Sequence, residues 1–180
     1  MGENFIELLR LLAGTVVHRP YVYIFFAFYL AFALYHFGLK RTLWFTVSTY
    51  AIAFLCEYSS TRNGFPFGLY SYFDDTRYQE LWIANVPFWD SLSFVFLSYF
   101  SFVIAALICS RASGQVGNAW TGIHSPLTPI VGGFIMMLLD VVIDPITLQG
   151  DKWFLGRVYN YPTEGFYFGV TAANFAGWFF

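Results

Sequence analysis

Carboxylates at the ends of apolar segments are the residues of this sequence best suited to chemistry. Asp140 and Asp144 lie one helical turn apart in LLDVVIDP, so they share one face of a helix. Glu57 lies where another apolar segment ends, at or just inside a membrane boundary, where an ionisable group is costly and usually has a function. A carboxyl group in apolar surroundings keeps its proton near neutral pH, and an ionised carboxylate beside it completes an acid and base pair. Such a pair suits the protonation of an isolated alkene and the delivery of water to the resulting cation.

The stretch EYSSTRNGFPFGLYSY, residues 57–72, leads from Glu57 into a loop rich in glycine and aromatic residues. Its glycines fix turns and let the backbone approach other groups closely, while Tyr70 and Tyr72 supply hydroxyls on rigid rings. We predict that the glycine-containing part, residues 64–72, folds over the carboxylates. The alternative for Glu57 is an ordinary helix-terminal glutamate in headgroup water.

Composition places the chain in a membrane. Its 180 residues are 58% hydrophobic and 11% charged, against about 25% charged in an average soluble domain. The net charge of −2 provides no basic surface for nucleic acid, so we exclude nucleic acid as a partner. Cys56 and Cys109 are isolated thiols without a CxxC spacing or a nearby histidine cluster. The sequence therefore predicts neither a metal site nor a disulfide, and both cysteines are expected to be packing residues.

The hydrophobic segments predict the fold class, an all-α, polytopic transmembrane helical bundle that forms a single integral membrane domain over residues 1–180. Residues 1–19 are typical of an amphipathic helix that lies on the membrane surface. The last segment has 16 residues, about 24 Å of helix and short of a full crossing, so we expect the chain to be truncated at its C-terminus. About five spans are expected, at residues 21–39, 43–58, 88–108, 127–143 and 165–180.

Alternating spans bring the polar groups to one face of the membrane. The second and fourth spans end, and the third and fifth begin, on the face that carries Glu57, Asp90 and Asp144. Six lysine and arginine residues lie on that side against three on the other, which predicts that this site faces the cytoplasm from the cytoplasmic membrane. Asp90 lies in the first turn of its helix, where an acid is an ordinary helix start.

Residues from the two long loops and the fifth span are expected to line or support the same pocket. Arg62 and Arg157 are candidates to keep one carboxylate ionised. The aromatic content of 23% would alternatively reflect only lipid-facing surface and interfacial belts. The predicted substrate-binding residues are Arg62, Phe67, Tyr70, Tyr72, Trp153, Arg157, Asn174 and Trp178.

Several short motifs follow one another along the chain. They are EY from Glu57, GFPFGLYSY at 64–72, VP at 86–87, DVVIDP at 140–145, GDKW at 150–153, YFGV at 167–170 and NFAGW at 174–178. Over residues 45–180 their order and spacing resemble the membrane carotenoid hydratases, carotenoid biosynthesis proteins that include bisanhydrobacterioruberin hydratase and γ-carotene 1'-hydroxylase. The resemblance implies cofactor-independent addition of water to the terminal double bond of an acyclic carotenoid end group, which gives a tertiary alcohol. It also implies a polyene substrate, contact with membrane lipid and further spans beyond this C-terminus.

Alkene hydration suggests a role for each carboxylate, because water is too weak an acid to protonate a double bond. Asp144, beside Pro145 near the interface, is predicted to supply the proton where the polyene end and water both arrive. The deeper Asp140 would hold Asp144 in place or share its proton, and Glu57 would position or deprotonate the attacking water. The remaining carboxylate and aromatic faces such as Trp153 would stabilise the tertiary cation.

A function of a different class is a membrane small-molecule transporter or binding subunit that uses the same carboxylates as proton or cation sites. Against it, the spans show no inverted repeat and no pair of broken helices. The colour and retention time of carotenoids in a lycopene-producing host distinguish the two hypotheses.

Overall fold

The computed structural model describes residues 2–112, 119–150 and 156–180. The helices of this part are α1 (Gly2–His18), α2 (Pro20–Asn63), α3 (Phe88–Ala112), α4 (Leu127–Thr147) and α5 (Ala172–Phe179). Helices α2, α3 and α4 are each long and apolar enough to cross a membrane, by length and composition. The predicted fold class, an all-α membrane bundle, is therefore confirmed.

Helix α2 folds back on itself at Gly38, where φ is 74° and ψ is 167°. Glycine lacks a Cβ, so it adopts this conformation at little cost. The Tyr29 hydroxyl lies 2.7 Å from the Thr46 Oγ1, although 17 residues of straight helix would hold the two residues about 26 Å apart. The first arm (residues 20–37) and the second arm (residues 39–63) therefore run side by side.

The second arm ends at Gly64, whose φ of 82° is the left-handed conformation of a helix cap. Its N–H donates to the Ser60 carbonyl oxygen at 3.0 Å, and the Phe67 N–H donates to the Ser60 Oγ at 3.0 Å. The loop that follows is thus folded back against the last turn of the helix from which it emerges.

Short antiparallel strands join the two long loops. The strands of the described residues, each two residues long, are β1 (Ser71–Tyr72), β2 (Trp82–Ile83), β3 (Val86–Pro87) and β4 (Tyr159–Asn160). Strand β1 pairs with β4, with Tyr72 opposite Tyr159, and β2 pairs with β3. The pairing of β1 with β4 holds the loop after α2 against the loop before α5.

The N-terminal helix α1 packs one face on the loop between β1 and β2. The Leu81 N–H donates to the Thr15 Oγ1 at 2.8 Å, and a Cβ on Gly14 would lie only 1.8 Å from the Gln79 carbonyl oxygen. Apolar side chains of α1 such as Ile6 and Val17 are exposed. This arrangement leaves an apolar surface on the helix that we predict to lie at the membrane interface.

The C-terminal helix is shorter than expected. Residues 165–170 form a tight antiparallel turn instead of the first turns of a helix. Gly169 has a φ of 89°, which favours glycine and interrupts helical geometry. Thr171 then caps α5, because its side chain accepts a hydrogen bond from the Asn174 N–H. The expected fifth span therefore begins as a turn, and only its second half is helical.

A buried ion pair connects the start of α2 to the loop and to α3. The Arg19 Nε lies 3.2 Å from the Glu80 Oε2, and their side chains are 11% and 0% exposed. The Thr76 hydroxyl also donates to Glu80, and the Arg19 guanidinium packs 4.5 Å from the centre of the Trp89 ring. Glu80 therefore has its charge compensated in a place that water does not reach.

Replacement of Arg19 by methionine is expected to lower the free energy of unfolding by about 3–5 kcal/mol, because Glu80 would remain buried without a cation. The double variant Arg19→Met, Glu80→Leu should recover much of this loss. Arg10→Met, which removes an exposed pair with Glu7 and an exposed hydrogen bond to the Tyr78 carbonyl oxygen, is the control and should have a much smaller effect. The measurement is equilibrium unfolding of the purified protein in detergent, and equal losses in Arg19→Met and Arg10→Met would contradict the prediction.

Candidate functional site

A cavity of about 40 Å³ lies at the end of the bundle where the second arm and α4 end and where α3 and α5 begin. We call it the carboxylate cavity. It contains most of the residues that the sequence predicts for a site. Its lining consists of Glu57, Phe67, Tyr70, Tyr72, Asp90, Phe94, Asp144, Tyr159, Tyr161, Asn174 and Trp178.

Asn174 joins the two aspartates of α4. Its Nδ2 donates to the Asp140 Oδ2 at 2.7 Å and to the Asp144 Oδ2 at 2.6 Å. An amide nitrogen carries two hydrogens, so one side chain serves both carboxylates. Both aspartates are buried, and α4 continues past Pro145, so the i, i+4 spacing places them on one helical face as the sequence predicts.

Glu57 lies in the last turns of the second arm and is 1% exposed. The Ser91 Oγ of α3 donates to the Glu57 Oε2 at 2.5 Å. The other oxygen, Oε1, is buried and has no hydrogen-bond partner within the described residues. This burial excludes the alternative of a glutamate in headgroup water.

Asp90 also lines the cavity, which the sequence interpretation as an ordinary helix start did not predict. The Tyr72 hydroxyl donates to the Asp90 Oδ2. The only signal in the sequence was the position of Asp90 on the same membrane face as Glu57 and Asp144. That signal applies to any acid at the start of the third span, so it does not separate a site residue from a helix start.

Four tyrosines, the tyrosine roof, cover the carboxylates: Tyr70, Tyr72, Tyr159 and Tyr161. The ring centres of Tyr70 and Tyr159 are 5.3 Å apart, and those of Tyr159 and Tyr161 are 5.6 Å apart. Burial raises the pKa of Tyr70, Tyr72 and Tyr159 well above the ordinary 10.0, and the nearby carboxylates add to the shift. These hydroxyls therefore stay protonated and act as hydrogen-bond donors.

The cavity is polar enough and large enough for water. The hydroxyls of Tyr159 and Tyr161 are buried and make no hydrogen bond of good geometry within the described residues, and the same holds for the Glu57 Oε1. A water molecule needs about 10–15 Å³ of such space and two to four polar partners. The cavity meets both conditions.

The two predicted arginines lie outside the cavity, which corrects the expectation that they line it. Arg62 is exposed on the outer side of α2, where its Nη1 donates to the Asn85 Oδ1 at 2.6 Å and its guanidinium covers the Tyr58 ring. Arg157 is exposed and packs against the Phe73 ring. Among the described residues, no lysine, arginine or histidine lines the cavity, although the charge of Arg19, outside it, acts on Asp90.

The other predictions for the site have mixed outcomes. Trp153 lies outside the described residues. Asp140 lies behind the cavity wall and reaches it through Asn174. Cys56 is half-buried and Cys109 is buried, and within the described part of the chain no group of three or more His, Cys, Asp or Glu residues is arranged to hold a metal ion.

Two apolar grooves meet the cavity on opposite sides of α3. The larger groove, about 660 Å³, lies between the first arm, α3 and α4, and its lining includes Asp90, Asp144, Tyr159 and Trp178. The smaller groove, about 340 Å³, lies between the second arm, α3, α4 and α5. Trp178 contributes to the cavity and to both grooves.

Replacement of Asn174 by leucine keeps a side chain of similar size and removes both hydrogen bonds to the aspartates. Two buried carboxylates then lose a donor, so we expect the free energy of unfolding to fall by about 1–3 kcal/mol. The exposed Asn160 of β4 is the matched position, and Asn160→Leu should change stability much less. Unfolding in detergent measures both, and an unchanged stability in Asn174→Leu would show that the amide does not hold the pair.

The profile of one protein family, described as carotenoid biosynthesis protein, matches residues 18–180. Among curated proteins and solved structures, no significant match is found. The matched range covers α2 to α5 and every residue of the carboxylate cavity. The chain therefore belongs to the carotenoid biosynthesis protein family.

Proposed function

We propose that this protein adds water to the terminal double bond of an acyclic carotenoid end group, without a cofactor, and forms a tertiary alcohol. A role in carotenoid biosynthesis follows from the family, and the hydration step is our proposal. One observation carries it: a polar cavity with room for water, lined by carboxylates and by no cationic side chain of the described residues, opens on an apolar groove inside a membrane bundle.

The position of each carboxylate suggests its part in the reaction. Asp144 lines both the cavity and the larger groove, so it faces both a polyene end and water. Glu57 lines the cavity and does not line the larger groove. Asp140 lines neither space and is linked to Asp144 through Asn174. Asp140 and Asp144 share one amide donor, and no cationic side chain among the described residues lines the cavity, so we expect that the two do not both ionise and that one proton remains for transfer.

The first step is proton transfer from Asp144 to the alkene carbon that carries a hydrogen. The π electrons form the new C–H bond, and the positive charge remains on the carbon that carries two methyl groups. The ionised Asp144 and the face of Trp178, which lines both spaces, stabilise this tertiary cation.

The second step is attack by a water molecule held in the cavity. Its oxygen bonds to the cation, and its proton passes to the Glu57 Oε1, the oxygen that Ser91 leaves free. Return of this proton from Glu57 to Asp144 through the hydroxyls and water of the cavity restores the starting state. The sum of the two steps is one water added to one double bond.

The aspartate at the boundary is expected to be essential. Asp144→Asn keeps the shape of the side chain and removes the proton, so we expect hydration to fall at least about 100-fold while carotenoid binding persists. The assay is formation of the more polar carotenoid in membranes that contain the variant and an acyclic carotenoid, with heavy-oxygen water as the label of the new hydroxyl. Arg62→Ala, outside the cavity, is the control and should keep full activity.

Other outcomes of this assay revise the proposal in defined ways. Substantial hydration by Asp144→Asn would overturn the assignment of the acid. Loss in Glu57→Gln alone would move the acid role to Glu57. A wild-type protein that binds carotenoid and leaves it chemically unchanged would instead favour a transporter or binding subunit that uses the same carboxylates as proton or cation sites.

A further inference from the structure

We infer that the larger groove is the binding site of the polyene chain, which lies along α3 with its reacting end at Asp144. The inference rests on the proposed function and adds where the long hydrocarbon body of the substrate is held. A carotenoid is much longer than its end group, so a hydratase needs an extended apolar site that leads to its acid.

The groove has the size and shape for a long, thin ligand. Its volume of about 660 Å³ falls within the range of about 300–1,000 Å³ that is usual for small-molecule sites. Along α3 its lining runs from Trp89 to Ile104, about 22 Å of helix, which is roughly two-thirds of a 30 Å hydrocarbon core. The occupant is therefore an extended molecule aligned with the helices.

Polarity is concentrated at one end of this groove. Asp90, Asp144 and Tyr159 lie at the end that joins the carboxylate cavity, whereas Phe32 and Ile104 lie two to four helical turns away along their helices. A ligand that fits this pattern has a hydrocarbon body and a reacting tip. An acyl chain of a membrane lipid matches the body alone, because its terminal methyl offers nothing to a carboxylic acid.

Aromatic rings form the walls. Phe25, Phe28 and Phe32 follow one another on the first arm at helical spacing, and Phe96 and Phe100 lie one turn apart on α3. The rings of Phe25 and Phe96 stack with their centres 5.7 Å apart. Flat, rigid rings match the faces of a conjugated chain, which loses little conformational freedom when it is held straight.

The smaller groove lacks the chemical end that the reaction needs. It meets the carboxylate cavity through Phe67, Phe94 and Trp178, and no carboxylate lines it. A polyene in that groove would end against aromatic rings. Substitutions that block the larger groove should therefore reduce polyene binding, and substitutions that block the smaller groove should not.

The test fills each groove with tryptophan and measures retention of lycopene by the purified protein in detergent. Leu139→Trp fills the larger groove, and Val142→Trp, at its exposed edge, adds bulk without crowding the core. Both should reduce bound lycopene at least about tenfold. Leu138→Trp, on the exposed side of α4, and Thr49→Trp, in the smaller groove, should retain lycopene as the wild type does.

The results separate this inference from the proposed function. The inference is overturned if Leu139→Trp and Val142→Trp fold and bind lycopene as the wild type does. It is also overturned if Thr49→Trp is the one variant that loses lycopene. A third outcome would also overturn it: the wild type retains no lycopene, and Leu139→Trp carries less co-purified phospholipid than the wild type. The groove would then hold acyl chains. Loss of binding in Leu139→Trp and Val142→Trp supports the groove, and it does so even when the wild type forms no hydrated product.

Discussion

The structure depends on the burial of carboxylates at one end of a membrane bundle, in a cavity that no cationic side chain of the described residues lines. An uncompensated carboxylate at membrane depth costs about 2.5–3.5 kcal/mol on insertion scales. Neutral donors take the place of cations here: the amide of Asn174, the hydroxyl of Ser91 and the hydroxyl of Tyr72. A cation beside a carboxylate favours its ionised form, whereas burial without one favours the protonated form. The elements that carry these donors must therefore meet at this end of the bundle.

Those elements come from distant parts of the chain. Reversal of α2 at Gly38 returns the second arm so that Glu57 lies at the same end as the start of α3. The pairing of β1 with β4 brings the tyrosine roof together from two loops. The turn before α5 aims Asn174 at α4. The ion pair of Arg19 and Glu80 holds the start of the first arm against the loop between β1 and β2. The same ion pair therefore supports both the wall of the larger groove and the roof of the cavity.

Local patterns in the sequence predicted what depends on local geometry. The shared face of Asp140 and Asp144 follows from helical spacing, and the position of Glu57 follows from the length of an apolar segment. The prediction that Arg62 lines the pocket rests on its charge and on its place at the start of the first long loop, and neither says to which side of a helix its guanidinium turns. The sequence does not predict Tyr159 and Tyr161 as site residues, because strands this short do not show in the sequence which residues pair. Their partners are set by contacts more than 80 residues away in the chain.

The single amide that serves two aspartates has a stereochemical consequence. The Asn174 Nδ2 donates to the Oδ2 of each aspartate, so the amide holds that oxygen of both side chains toward α5. In the proposed reaction Asp144 would then deliver its proton from Oδ1, whose orientation the amide and the position of Asp144 on α4 set together. An alkene end that enters from the larger groove would meet this oxygen with one face of its double bond. Proton delivery would then be confined to that face. The carbon that receives the proton becomes a methylene group, so a deuterium label would be needed to reveal the selectivity.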